Sequence, residues 1–112
     1  MALTRDFHES VKELLHDDPA FARTMLDEAA SLFLNGEPGV ARAILRDLIN
    51  ATTGFETLAS TIGNPSKSIH RMLSANGNPR MDNLAAIFDA LRKKLKVDIE
   101  VRSVEARRKR AS

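Results

Sequence analysis

Apolar residues recur at i, i+3 and i+4 along most of this chain, and only near its end do they alternate with polar ones. The first pattern predicts helices. Phe7, Val11, Leu14 and Leu15 form a stripe over Thr4 to His16, with Thr4 as cap and Asp6 and Glu9 near the positive end. Asp17-Asp18-Pro19 stops that helix and starts another, Asp18 capping and Pro19 opening the first turn. The second helix is expected to run to about Leu34, with Phe21, Met25, Ala29, Leu32 and Phe33 inward, and to end at Asn35-Gly36. Glu37-Pro38 opens a third. Val40, Ile44, Leu45, Leu48 and Ile49 are its apolar positions, Arg42, Arg46, Asp47 and Asn50 its polar ones, and Thr52-Thr53-Gly54 closes it.

The stretch from Leu58 to Leu73 reads as two short helices meeting at a glycine. Leu58, Ala59 and Ile62 make one buried face. Gly63 ends that helix, because glycine takes a left-handed conformation without a side-chain penalty. Asn64-Pro65 restarts the chain, Asn64 as cap and Pro65 in the first turn, and Ile69, Met72 and Leu73 form the second apolar face. Ser66, Lys67, His70 and Arg71 occupy the polar, basic side. A small alanine early in the first helix lets the second cross it closely. Such a pair is the sequence form of a helix-turn-helix. Asn76-Gly77-Asn78-Pro79 marks a turn, and a last helix from about Met81 to Lys94 carries Leu84, Ile87, Phe88, Leu91 and Leu95 inward. Asp82 in its first turn and Arg92, Lys93 and Lys94 in its last suit the helix dipole.

Charge is divided unevenly along the chain. Residues 1–53 carry 5 Lys/Arg against 9 Asp/Glu, a net of −4, whereas residues 54–112 carry 12 against 6, a net of +6. No acid lies between Glu56 and Asp82, while Lys67, Arg71 and Arg80 are basic. A solvated surface is the ordinary meaning of a charged face. An acid-free stretch around the second short helix favours a surface that meets phosphates. Composition adds little else. The 112 residues suit one domain, and an aliphatic core follows from five Phe with no Trp or Tyr. Absence of Cys excludes disulfides and thiolate metal sites. No apolar run is long enough for a membrane span, and the first residues lack a signal-peptide pattern, so a cytoplasmic protein without a membrane partner is expected.

The Leu58–Leu73 stretch resembles the helix-turn-helix of lambda-repressor-like (Xre-type) DNA-binding domains. Leu58, Ala59, Ile62, Gly63, Ile69 and Met72 match that pattern. Asn64 stands where an apolar residue is usual and Pro65 where a Ser or Thr cap is common, which leaves the start of the second helix open by a residue or two. The wider layout sharpens the likeness: Asp18-Pro19-x-Phe21, Ala43-Ile44-Leu45-Arg46-Asp47, the two short helices, Gly77-Asn78-Pro79 and a strand expected after the last helix occur in this order. Over roughly residues 5–103 the chain resembles the addiction module antidote group, antitoxins of type II toxin–antitoxin pairs. That resemblance implies an all-helical DNA-binding protein that represses its own operon, with a small RelE-like ribonuclease toxin as partner. Stand-alone regulators share the architecture. So does, as a separate class, an interaction module that masks a partner without touching DNA.

If DNA is bound, the second short helix enters the major groove. Ser66, Lys67 and Arg71 are then the candidate base readers with His70 beside them, since Arg and Lys match the O6 and N7 of guanine. Ser68, Asn76 and Arg80 are better placed for phosphates, which position without specifying. Related repressors often hold a phosphate with Gln near the position of Phe55, which here is expected in the core. His8 and His16 are expected at the surface. Without His-Glu-x-x-His or a Cys partner, neither they nor His70 suggests a metal, and no cofactor is expected. No nucleophile–base ordering, Gly-rich phosphate loop or carboxylate pair suggests an enzyme.

Val97, Ile99 and Val101 alternate with Asp98, Glu100 and Arg102, which predicts one β-strand over about 96–104. A strand's backbone needs partners and its apolar face needs cover. The first candidate is the same strand of a second copy, antiparallel across a two-fold axis, giving a homodimer that reads a palindromic operator. Donation to a toxin's sheet, or pairing with Met1 to Thr4, are the alternatives. The expected whole is one all-α domain of about six helices with one C-terminal strand: helices over 1–53, the motif and its packing helix over 54–95, the strand, and a disordered basic tail over 105–112.

Overall fold

The computed structural model describes residues 17–106, together with Ser10 and Glu13. The helix expected over Thr4–His16 and the tail from Arg107 therefore lie outside the described residues, apart from those two. Among the described residues the chain is all-helical: α1 (Pro19–Leu34), α2 (Pro38–Ala51), α3 (Phe55–Ile62), α4 (Ser66–Met72) and α5 (Met81–Leu95).

Local chemistry sets most of the ends. The Asp18 carboxylate accepts from the backbone N–H of Ala20 (3.1 Å) and Phe21 (3.3 Å), and Pro19 follows as the first helical residue. At the other end Asn35 caps α1, and Gly36 turns the chain at φ 85°. Gly63 takes φ 73°, ψ 30° and closes α3 by donating to the Ala59 carbonyl. The restart differs from the expected one by a residue. Pro65, at φ −61° and ψ 142°, is the N-cap, α4 begins at Ser66, and Asn64 does not cap it. The reason is that Pro65 itself is still extended backbone, so the first helical residue comes one position later.

The helices enclose one core. Leu26 and Ala29 of α1, Leu45, Leu48 and Ile49 of α2, Leu58 of α3, Ile69 and Leu73 of the α4 end, and Ile87 and Leu91 of α5 are all 0% exposed. Ile62 and Phe88 are partly buried against them, and the Phe88 ring meets Phe33 edge-on at 6.0 Å. The α1 stripe is turned slightly from the expected one. Ala22, Leu26 and Ala29 form its buried centre, while Phe21, Met25 and Phe33 flank it. Val40, one of the apolar positions of α2, is 54% exposed.

Residues 97–106 correct the expected strand: no β-strand forms among the described residues. A strand exists by its ladder bonds, and the described residues supply no second strand. The alternation nevertheless appears as burial. Val97 and Ile99 pack partly against the chain's own core, and Asp98 and Glu100 are exposed. Val97 and Ile99 therefore do not offer the free apolar face expected of a dimer interface. Val101, at 70% exposed, does.

The segment leaves α5 through Lys96, which sits at φ 61°, ψ 49°. Val97 N–H donates to the Arg92 carbonyl at 3.0 Å. Arg92 bridges Asp89 (2.9 Å) and Asp98 (3.0 Å), so it ties the segment to the helix. Lys93 also meets Asp89 at 2.9 Å, and its hydrogen bond is the main reason that carboxyl is held below its usual range. Lys96 is the only non-glycine residue at positive φ among those described. An L-residue there costs roughly 1–2 kcal/mol, partly offset by the backbone entropy that glycine would lose. Lys96→Gly is accordingly expected to stabilise the fold by about 0.5–1 kcal/mol. Thermal melting checks this, and a lower melting temperature would contradict it.

Candidate nucleic-acid interface

α3 and α4 are joined by Gly63-Asn64-Pro65, and Leu58, Ile69 and Leu73 meet in the common core. Burying these residues fixes which face of α4 looks outward. Lys67, His70 and Arg71 are exposed there, and Ser66 and Ser68 are half-buried. Two contacts tie this face to α3. Ser66 Oγ donates to Glu56 Oε2 at 3.0 Å, so this hydroxyl bridges the two helices. The His70 ring stacks on Phe55, with centroids 3.8 Å apart and planes at 18°. Phe55 is 7% exposed, which agrees with its expected place in the core. Its ring is the seat on which His70 lies.

The far end of α4 is held from behind. Arg42 Nε donates to the Ser74 carbonyl and Nη2 to the Ala75 carbonyl, each at 3.0 Å, and Arg46 Nη1 donates to the Leu73 carbonyl. These two cations of α2 thus occupy the carbonyl oxygens where α4 ends, which a helix dipole makes negative. Charge-assisted bonds of this kind contribute roughly 1.5–3 kcal/mol each. Helical periodicity assigned Arg42 and Arg46 only to the polar side of α2. Periodicity describes a helix by itself, whereas their partners lie about thirty residues further on. A carbonyl-rich helix end is the single feature that marks where these half-buried cations belong.

Beyond Leu73 the chain folds back sharply. Gly77 N–H donates to the Ser74 carbonyl at 2.9 Å, and Ser74 Oγ donates to the Arg71 carbonyl at 2.7 Å. Gly77 passes so near α4 that a Cβ there would stand 2.6 Å from the Met72 carbonyl carbon and 2.7 Å from the Arg71 oxygen. This approach forms an open depression lined by Ser68, Arg71, Asn76, Asn78, Arg80 and Asn83, among others. Four of the seven candidate residues, Ser68, Arg71, Asn76 and Arg80, share it. Ser66, Lys67 and His70 lie outside it, on the rest of α4.

The depression is lined by two arginines, amides and hydroxyls, with no carboxylate. It can accept anionic oxygens and offers donors at several heights. Among the described residues no group of three or more His, Asp or Glu is gathered as metal ligands would be, and His8 and His16 lie outside them. No described helix is long and apolar enough to cross a membrane. No family model, curated protein or solved structure matches the chain.

Proposed function

We propose that this chain is a sequence-specific DNA-binding transcriptional regulator acting as a homodimer on a palindromic operator. In this reading α3 and α4 are a helix-turn-helix, with α4 as the helix that enters the major groove. The observation that carries it is the exposed face of α4. Lys67 and Arg71 stand on a helix buried by Ile69 and Leu73, and Arg71 and Arg80 line one carboxylate-free depression beside it. A packed helix with outward cations, and amides beside it, suits base and phosphate contact. Arg71 and Lys67 read bases, and Ser68, Asn76 and Arg80 hold phosphates. Ser66 first orders α4 against α3 through Glu56, and His70 presents the free side of a ring stacked on Phe55.

We also propose the narrower role of antitoxin and autorepressor in a type II toxin–antitoxin module, with a RelE-like toxin as partner. Its support is the order of motifs along the chain. A small basic reading frame encoding such a toxin beside this gene, and co-purification of its product with this chain, are the expected results.

The DNA reading separates two arginines. Arg71→Ala is expected to cost about 1–3 kcal/mol of operator affinity and to relax sequence preference. Arg80→Ala is expected to weaken binding to all sequences alike and to lower the salt slope by about one ion. Titration of operator and scrambled duplexes at several salt concentrations measures both. Equal operator affinity of Arg71→Ala and wild type would remove Arg71 from the site.

A further inference from the structure

Residues 98–106 carry backbone N–H and C=O groups with no hydrogen-bond partner among the described residues. Beside them an open groove runs between the C-terminal part of α1 and residues 98–104, and Leu34 and Val101 both line it. Leu34 is 59% exposed and Val101 70%. Unpaired backbone next to bare apolar side chains is what an added strand can complete. We infer that a second copy of the same segment completes it, as an antiparallel pair whose two-fold axis passes through Val101. This rests on the homodimer proposed above and adds its register.

The register follows from charge and side-chain alternation. Directly opposite residues of an antiparallel pair lie on the same face, so the apolar set Val97, Ile99 and Val101 must oppose odd-numbered residues. That leaves axes on whole residues. An axis at Ile99 sets Asp98 against Glu100 twice. At Glu100 it sets that carboxylate against itself, and at Arg102 it does the same with the guanidinium. An axis at Val101 instead sets Glu100 against Arg102 twice, Val101 against Val101, and Ile99 against Ser103. Like charges directly opposite destabilise a pair and unlike charges stabilise it. Within residues 98–106, of the axes from Ile99 to Ser103 only the one at Val101 opposes unlike charges and no like ones. The two Val101 side chains then meet beside the groove that Val101 lines with Leu34. Asp98, opposite Val104, stays free to keep its ion pair with Arg92.

Because the chain has no cysteine, each introduced thiol is single. Oxidation of full-length Val101→Cys at micromolar concentration is expected to yield mostly disulfide-linked dimer. Ser103→Cys alone is expected to yield little, since its two copies would lie roughly 13 Å apart along the strands, too far for a disulfide. A charge test needs no crosslink. Glu100→Arg is expected to weaken dimerisation about tenfold in sedimentation. The double variant with Arg102→Glu is expected to restore it, because the opposed pairs are merely exchanged. Crosslinking that peaks at Ile99→Cys or Glu100→Cys, or a double variant that is not rescued, overturns this register even if a dimer is present. A wild-type monomer overturns the dimer itself. Neither result depends on DNA binding, which is read separately on operator duplexes.

Discussion

Leu73→Ala is expected to destabilise the protein by about 2–5 kcal/mol, the range for emptying a packed aliphatic site. Leu73 is 0% exposed at the end of α4 and shares its cluster with Leu58 of α3 and Ile87 and Leu91 of α5. α4 has only seven residues, too few to persist without its buried face. Ile69→Ala, one turn earlier and equally buried, is expected to act alike. For a chain of this size the loss corresponds to a fall in melting temperature on the order of 10–20 °C. Met81, 70% exposed at the start of α5, is the control, and Met81→Ala is expected to stay within roughly 0.5 kcal/mol of wild type. Unchanged melting of both Ile69→Ala and Leu73→Ala would mean that α3 and α4 do not share this core.

Gly77→Ala has a different cause and a comparable reach. The added methyl would collide with the Met72 and Arg71 carbonyl groups, which are backbone atoms and cannot rotate aside. Either the turn over 74–79 moves away or α4 loses its last bonds. Overpacking of this kind costs roughly 1–3 kcal/mol and more where backbone must shift. The turn carries Asn76 and leads to Arg80, so the depression changes shape with it. Lower thermal stability together with weaker operator binding is the expected outcome. Substitution at Gly39, where a Cβ meets nothing within 4 Å, is the comparison. A Gly77→Ala protein that melts and binds like wild type would show that the close approach is dispensable.

The framework was legible because its signals are local. Asp18-Pro19, Asn35-Gly36 and Gly63 act on the backbone within a few residues of themselves, and each marks a helix end in the structure. Leu58, Ile69 and Leu73 were legible as core because a seven- or eight-residue helix has little choice of face. Over the sixteen residues of α1 the choice was wider. Abundant alanine blurred the stripe, and Leu26, its most buried large side chain, was missed in favour of Phe21 and Met25. The clamp of Arg42 and Arg46 on the α4 end was not legible, since it joins residues distant in sequence. Nor was the fate of Val97 and Ile99. Alternation told that they share a face, but not that their own core would cover it. Of the candidate interface, periodicity located the α4 residues. The convergence of Arg71 with Asn76 and Arg80 needed the fold, because it depends on the sharp return at Gly77.

The exposed face of α4 is expected to bind duplex DNA. Mobility shift of the full chain on duplexes selected from a random pool, at two salt concentrations, tests it most directly. The expected result is a selected palindrome with half-sites about one helical turn, ~34 Å, apart, bound far more tightly than scrambled sequence, with affinity falling steeply as salt rises. No enrichment of any sequence, together with equal weak binding to all duplexes, would contradict it.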